Sequence, residues 1–586
     1  MSLPKRLLLG LLMGFLSLLV LAGCGAEPTK TLPVRSGWSR GLLLGQASPA
    51  EPPAFLVRNG RAYAAWNEKE DDVSKAHMVV LDDKGRLVKD LFPELGVTFP
   101  HKMRLLARED GLAFFFLGRY EGRKNDVLFY ARLNQDGEII GQPQPVSPGD
   151  ADVENYAVVR LAYGWLVLWE AIEGNRHVLY YAVMDEEANL AKEPALFAEW
   201  GQKPVVFLDK EEVLHVAWLR LDSEGRGQVF YAHFPPGEEL TGDRGQEVAR
   251  FVMGLGGVSR LLTMGLDADT VYVFWDVEYR AGLLAGTTET TFVAFPHGHP
   301  EEARESILSL PSYAPDKYPG GEMPFIALPP EGSRRKSDIV SSPMPASVEQ
   351  DRLFLGVSVK SWFRSKGYVQ PVVALLEDGV HRGFQVAAIT KGLSLYPQLL
   401  LDEQGYWHLL WIDMRAYGLY PVYYATTSPQ ARAELNKITP EDIGRISLET
   451  LMGMISGMGM VPLLIVAAFP SLLLVSGYHI FGGEGDLSTR GARVLLGISL
   501  VLYLGFRLLL SGPFMATIPL AVWLPQGIIA PATIGLALLQ VILDILALML
   551  YWRRSMRPVL FLAWAIFVIC DTLLMVLFYG PVLLGG

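Results

Sequence analysis

FYARLN (129–134), YYAVMD (180–185), FYAHF (230–234) and YYATTS (423–428) repeat one phrase along this chain. Each follows an apolar run that ends near an aromatic residue, at 112–116, 165–169, 214–218 and 407–411. The same pairing recurs, less cleanly spelled, at 63–66 with 77–81, at 271–275 with 291–295 and at 353–357 with 370–376. From Ala131 the equivalent alanines are Ala182, Ala232, Ala294, Ala374 and Ala425, with Val79 in that place in the first unit. Short strands rich in Val, Tyr, Phe and Trp, bounded by turn residues, read as β structure. A repeat of roughly 50 residues built from such strands is the signature of a β-propeller. The reading predicts an all-β, seven-bladed propeller over residues 49–430. Two stacked sandwiches would need no fixed period. Turns such as LDDKG (81–85), LNQDG (133–137) and LEDG (376–379) close on glycine, which adopts positive φ without strain.

The blades LHVAW (214–218) through FYA (230–232), and WHLLW (407–411) through YYA (423–425), resemble those of the sialidase-like (BNR-type) propeller superfamily. The resemblance covers about residues 50–430 and concerns the fold. The Ser-x-Asp-x-Gly-x-x-Trp turn and the Arg-Ile-Pro signature of sialidases are missing, so no catalytic residue is carried across.

The chain has 586 residues and its charge is unevenly placed. Residues 25–450 hold 43 Lys/Arg against 58 Asp/Glu, whereas residues 451–586 hold six and four. An acidic middle region disfavours nucleic acid, which needs a basic face to displace phosphate counterions. Only two cysteines are present, Cys24 and Cys570, which excludes a disulfide framework and a cysteine-based metal site. His297-Gly-His299 is the sole close histidine pair, and without converging ligands it reads as a loop. No phosphate loop, dinucleotide fingerprint or hydrolase elbow occurs, so no metal and no cofactor are expected.

The two ends of the chain address a membrane. Lys5-Arg6 precede an apolar run over 7–20, and Leu21-Ala22-Gly23-Cys24 follows. This resembles a bacterial lipoprotein signal. It implies cleavage after residue 23, lipid on the Cys24 sulfur, and a tether over 24–48. An uncleaved signal anchor is the plainer reading. At the other end a linker over 431–453 leads into a helical membrane domain, 454–586, with spans at about 454–480, 493–511, 530–552 and 558–582. Thr439 is placed to cap the helix that enters it. With residue 450 outside, Arg490, Arg493, Arg553, Arg554 and Arg557 fall on cytoplasmic loops, as the positive-inside rule requires. The expected location is a bacterial cytoplasmic membrane, with the propeller and the C-terminus outside. The apolar, proline-spaced segment 514–524 is too short to span and reads as re-entrant.

Arg507, Asp544 and Asp571 lie within spans, where ionisable groups need partners. Helix rise puts Arg507 level with Asp571, predicting an ion pair, and puts Asp544 deeper, needing another partner or a proton. Gly453-x-x-x-Gly457 could admit a close helix neighbour. Eight prolines in 311–345 mark an insertion (300–350) on one face of the propeller. Asp276, Glu278, Asp413 and Arg415 follow strand-ending tryptophans and are candidates for ligand contact at the mouth; a solvated rim explains them as well.

Three functions fit these observations. The favoured expectation is a non-enzymatic binding or scaffold module for an extracytoplasmic protein or glycan, with another membrane protein as a partner for the helices. The second is a sialidase-like glycoside hydrolase, which requires charged side chains to converge at the propeller axis. The third is a receptor or transport component using the intramembrane charges.

Overall fold

A computed structural model describes residues 29–583, except 35, 71–72, 223, 255, 314–324, 329–335, 347–350, 364–365, 417, 483 and 516–525. Cys24 and the expected re-entrant segment lie outside or almost wholly outside those residues, as does part of the proline-rich insertion. The chain forms two units. One comprises Thr29–Trp362 and Gly367–Lys437, and the other the residues from Ile438 onward with the short segment Phe363–Lys366.

The first unit is mostly β, with sheets resembling propeller blades. Five antiparallel four-stranded sheets follow in chain order. The first holds Ala54–Arg58, Arg61–Glu70, Val73–Leu81 and Leu87–Leu91. The second holds Thr98–Ala107, Leu112–Arg119, Val127–Leu133 and Ile139–Pro145. The third begins at Val153–Leu161, the fourth at Gln202–Leu208 and the fifth at Gly257–Leu266. The rest is one nine-stranded sheet. A parallel pairing at Val369 and Leu393 divides it into two runs, one starting at Val340–Pro345 and one at Leu393–Leu401. Every repeated pair of runs seen in the sequence is the second and third strand of one of these groups. The first and fourth strands carry weaker sequence signals, because they are shorter or more exposed.

The tether expected over 24–48 is corrected in part. Leu42–Ala47 is a strand paired antiparallel with Tyr420–Thr426, the last strand of the sheet unit. Ahead of it Trp38 is buried and donates Nε1–H to Gln385 Oε1 at 2.7 Å. The N-terminal segment therefore supplies the outer strand that the final group lacks. The juxtamembrane helix or linker expected over 431–453 begins with helix Pro429–Leu435, which buries Ala431 and Leu435 against the sheets.

Adjacent residues of a strand point to opposite faces. Phe114 packs with Ala65 and Met78 of the first sheet, while Phe115 packs with Trp165 and Val167 of the third. Similar clusters join the third sheet to the fourth, the fourth to the fifth and the fifth to the nine-stranded sheet. Ala64 and Val79 pack on Leu410 and Tyr424, which joins the last group back to the first. Both faces of each sheet are buried, so its central strands read as continuous apolar runs rather than as alternation.

Five turns share a device. Asp82, Asn134, Asp185, Asp222 and Asp402 each accept backbone N–H bonds from the residues two and four positions on. Such side-chain caps stand in for the backbone bonds that a tight turn leaves unmade. In the LHVAW and WHLLW strands, His215 and His408 are held between an aspartate and a tyrosine. Asp209 and Asp402 lie 3.0 Å from Nε2, and Tyr231 and Tyr424 hydroxyls 2.6 and 2.7 Å from Nδ1. These buried triads brace the sheets.

The second unit is helical: Pro440–Gly457, Val461–Ile480, Arg490–Met515, Gln526–Arg554 and Leu560–Leu583. Thr439 caps the first, since Asp442 Oδ2 accepts its N–H at 2.9 Å and Thr439 Oγ1 accepts that of Asp442 at 3.4 Å. Four stretches are long and apolar enough to cross a membrane: Met458–Ile480, Arg490–Gly512, Ala530–Arg554 and Leu560–Gly580. The loops around 485 and 558 pair with each other, through Leu487 N–H to Pro558 O and Leu560 N–H to Gly485 O. All five arginines flanking these loops are therefore gathered at one end of the unit, and all are exposed. Gly457 meets Gly580, where a Cβ on Gly580 would stand 2.8 Å from Gly453 O. The small residues let the two helix backbones touch.

Candidate functional site

The first strands of successive sheets lie side by side. The strand of the first sheet borders that of the second, the third that of the fourth, the fourth that of the fifth, and the fifth that of Val340–Pro345. Val340–Pro345 then borders Leu393–Leu401, which borders the first sheet again. The second and third are linked by the Tyr156 hydroxyl, which donates to Lys102 O at 2.6 Å.

Near their starts these strands are kinked. Phe99, Lys102, Lys203, Ser342 and Tyr396 have φ between 46° and 54°, a region that side chains other than glycine rarely enter. Polar groups on the neighbouring sheet hold the kinks. Glu51 Oε2 accepts the Lys102 N–H at 3.0 Å, and Asn67 donates its amide to Pro100 O. Glu170 Oε2 accepts the Lys203 N–H at 2.9 Å. Asp276 Oδ2 accepts the Ser342 N–H at 3.1 Å, and its Oδ1 accepts those of Arg260 and Leu261 at 3.2 and 3.0 Å. Asn67, Glu170 and Asp276 each follow a tryptophan inside the second strand of a sheet, which runs on past the end expected for it, so one sequence position anchors the kinks in alternate sheets.

The kinked side chains reach across to the next sheet. Lys102 Nζ donates to Glu154 O and to Asn155 Oδ1, and Lys203 Nζ donates to Ser259 O. Arg260 pairs with Glu278 and meets Tyr396. Glu154, Glu170 and Asp276 lie close enough to Lys203 to favour its charged form, yet burial outweighs them and lowers its affinity for a proton. Lys102, Glu154, Glu170, His177, Lys203, Arg260, Asp276, Glu278 and Tyr396 thus form one connected group.

Two carboxyls in this group are pushed in opposite directions. Glu154 is raised above the ordinary carboxylate range by burial and by repulsion from Glu170. Glu170 is almost wholly buried, which raises it, but three bonds to its charged form prevail and hold it low. Those bonds come from His177 Nδ1 at 2.6 Å, the Lys203 N–H and Asn155 Nδ2 at 2.7 Å. His177 is raised in turn by Glu170 and also faces Glu154 Oε2 at 3.4 Å. Two neighbouring carboxyls whose surroundings shift them in opposite directions are the arrangement that acid–base catalysis uses. Glu154 remains 45% exposed, open to a ligand, while Glu170 does not. Glu154, Glu170 and His177 are also the buried-to-exposed trio whose donor atoms lie within 4.8 Å of one another, and it is these that could hold a cation. Glu170 Oε2, however, is already bonded twice.

Of the residues singled out in the sequence, Asp276 and Glu278 join this group, Asp276 as a buried anchor and Glu278 as the partner of Arg260. Asp413 and Arg415 stand together in the last group, 3.6 Å apart. Asp413 is buried and accepts from Ser394 Oγ at 3.3 Å. Arg415 donates to the Tyr423 hydroxyl and lines a pocket with Tyr368 and Lys391. Lys102, Glu154, Glu170, Lys203, Arg260 and Tyr396 went unread. Glu170 had a signal, Trp169 before it; the others depend on kinks that no local pattern spells.

In the helical unit Arg507 Nη1 lies 2.9 Å from Asp571 Oδ1. Arg507 Nη2 also donates to Gln540 Oε1 at 2.9 Å, and the Tyr503 hydroxyl donates to Asp571 Oδ2 at 2.6 Å. Asp544 stands beside Asp571 and Cys570 rather than deeper.

No known protein family matches the chain, and no curated protein resembles it in sequence. Its fold does resemble solved structures. One is a PL25 polysaccharide lyase, an ulvan lyase bound to a GlcA-Rha3S fragment, at 10% identity and TM-score 0.43, covering 68% of this chain and 94% of that one. Another is a thermostable family-43 glycoside hydrolase, at 11% identity and TM-score 0.32, covering 47% and 100%. A third is the α-L-arabinofuranosidase Arb93A from Fusarium graminearum with an iminosugar inhibitor, at 10% identity and TM-score 0.35, covering 57% and 95%. At this distance they speak to fold, and none is specifically a sialidase. The expected non-enzymatic binding or scaffold role is corrected at this point: the neighbours are glycan-processing enzymes.

Proposed function

We propose that the sheet unit is a seven-bladed propeller enzyme that cleaves glycosidic bonds at the mouth of its axis, with Glu154 as the proton donor. The observation that carries this reading is the meeting of ionisable side chains from several sheets at the kinked strand starts, where Glu154 is pushed to hold its proton more tightly than an ordinary carboxyl and Glu170 less tightly. A glycosidic oxygen leaves only if it is protonated, and an acid still protonated near neutral pH does this well. Glu154 is shifted in that direction and its side chain is 45% exposed. Glu170, held low by its hydrogen bonds, supplies a negative charge beside Glu154 that favours an oxocarbenium-like transition state. Lys102, Lys203 and Arg260 supply donors for sugar hydroxyls or acidic substituents.

The test is release of reducing ends from a panel of plant, algal and bacterial polysaccharides by the purified protein. Glu154→Gln should lower kcat by about 10²-fold or more with the fold intact. A wild-type protein inert on every glycan offered, or a Glu154→Gln variant of full activity, would sink the proposal.

We further propose that the four apolar helices cross a cytoplasmic membrane, with the arginine-flanked loops in the cytosol, the sheet unit outside and Cys24 lipid-modified. The gathering of Arg490, Arg493, Arg553, Arg554 and Arg557 at one end supports the orientation. Impermeant thiol labelling of cysteines placed at 485 and in the sheet unit tests it: only the second should react in intact cells.

A further inference from the structure

Asp544 is wholly buried, and neither of its carboxylate oxygens has a hydrogen-bond partner among the described residues. A buried carboxylate left in that state is among the least favourable arrangements in an apolar bundle. Its surroundings explain how it is tolerated. The Asp571 carboxyl and the Cys570 thiol are its polar neighbours. Asp571 in turn takes Arg507 Nη1, Gln540 Nε2 at 2.9 Å and the Tyr503 hydroxyl. Two carboxyl groups therefore face one guanidinium.

The other titratable groups nearby are Tyr503 from Arg490–Met515, and Cys570 and Tyr579 from Leu560–Leu583. Gln540, on the helix of Asp544 itself, is neutral. With both acids ionised the cluster carries one negative charge that no second cation among these groups offsets. With one proton added it is neutral, and an O–H can donate from one carboxyl to the other. Like-charged carboxylates in contact share a proton for this reason.

We propose that Asp544 and Asp571 together form a site that binds a single proton inside the helical unit, with Asp544 the group that gains and loses it and Arg507 the fixed counter-charge. The site gives this unit a chemistry of its own, separate from the glycan reading of the sheet unit and not dependent on it. Loss of the proton would leave a net charge within the bundle, so occupancy is coupled to how tightly these helices pack.

The experiment is infrared difference spectroscopy on the full-length protein in nanodiscs at pH 7, wild type minus Asp544→Asn. The expected result is one carboxylic-acid carbonyl band, shifted by exchange into D2O and absent from the variant. Asp571→Asn should remove it too, because a single carboxylate would then face Arg507. Asp544→Glu keeps the chemistry and should move the band rather than abolish it, which covers an asparagine variant that fails to fold. A wild type without such a band, or a band that survives Asp544→Asn, overturns the proposal. So does a melting temperature raised by sodium but not choline chloride in wild type alone, which would make the ligand a metal cation.

Discussion

The carboxylate of Glu170 accepts the backbone N–H of Lys203 at 2.9 Å, tying the second strand of one sheet to the kinked first strand of the next. The bond holds Lys203 at φ 50° and aims its ammonium over Ser259. The same carboxylate takes a charged bond from His177. Glu170→Ala removes both and leaves buried donors unmet, so it should cost about 2–4 kcal/mol in chemical denaturation. Glu170→Gln keeps an acceptor for Lys203 and should cost less than half as much. Equal losses in the two variants would show that the kink does not need this bond.

Lys102 lowers the proton affinity of Glu154 by its charge, opposing burial and Glu170. Lys102→Met should therefore raise the Glu154 pKa. If Glu154 is the proton donor, activity is lost as pH rises through that pKa, and the alkaline limb of the pH–kcat profile should move to higher pH in the variant. An unmoved or downward-shifted limb would separate Glu154 from the proton transfer.

His381 is partly buried, with Nε2 3.0 Å from Gly383 O, and removal from water lowers its pKa to about 4. Its unfolded-state pKa is near 6.5. The folded form binds a proton less readily, so the contribution to stability is complete above pH 6.5 and is lost as pH falls toward 4. The loss amounts to about 3 kcal/mol. Buried His215 is lowered by the same cause and adds in the same direction. Thermal melts between pH 7 and 4.5 should show His381→Gln with a flatter decline than wild type; parallel declines would refute the assignment.

Arg507→Gln removes the guanidinium that pairs with Asp571 in a buried cluster and should cost about 3–5 kcal/mol, read as loss of helical signal on heating in detergent. A wild-type melting curve would mean that the pair contributes nothing to the bundle.

Gly580→Val would drive a side chain into the backbone of Gly453 and Gly457 and should cost about 1–3 kcal/mol. Gly459→Ala meets nothing within 4 Å and should be neutral. Similar behaviour of the two variants would show that this contact is not the close one.

Much of the architecture was legible because it is periodic. Both faces of each sheet are buried, so Phe114–Phe116 and Trp165–Trp169 had to be apolar throughout, and the run of such strands was visible at a repeat near 50 residues. The apolar helices and their flanking arginines were legible for a similar reason: a membrane constrains composition over some twenty residues at a time. Leu42–Ala47 was missed because a short edge strand is defined by the strand it pairs with. Asp276 was noticed from the tryptophan before it, but its role as a backbone anchor was not, since that requires knowing where Ser342 arrives.

The sequence by itself determined the kinds of element, their order and the separation of an acidic β-rich region from an apolar helical one, because those follow from hydrophobic pattern and charge along the chain. Only the tertiary structure decided which ionisable groups meet. Lys102, Glu154, Lys203, Arg260 and Tyr396 lie far apart in sequence, and what joins them is left-handed backbone at the starts of neighbouring strands. That conformation is held by carboxylates and amides from adjacent sheets, so it exists only once the sheets have packed.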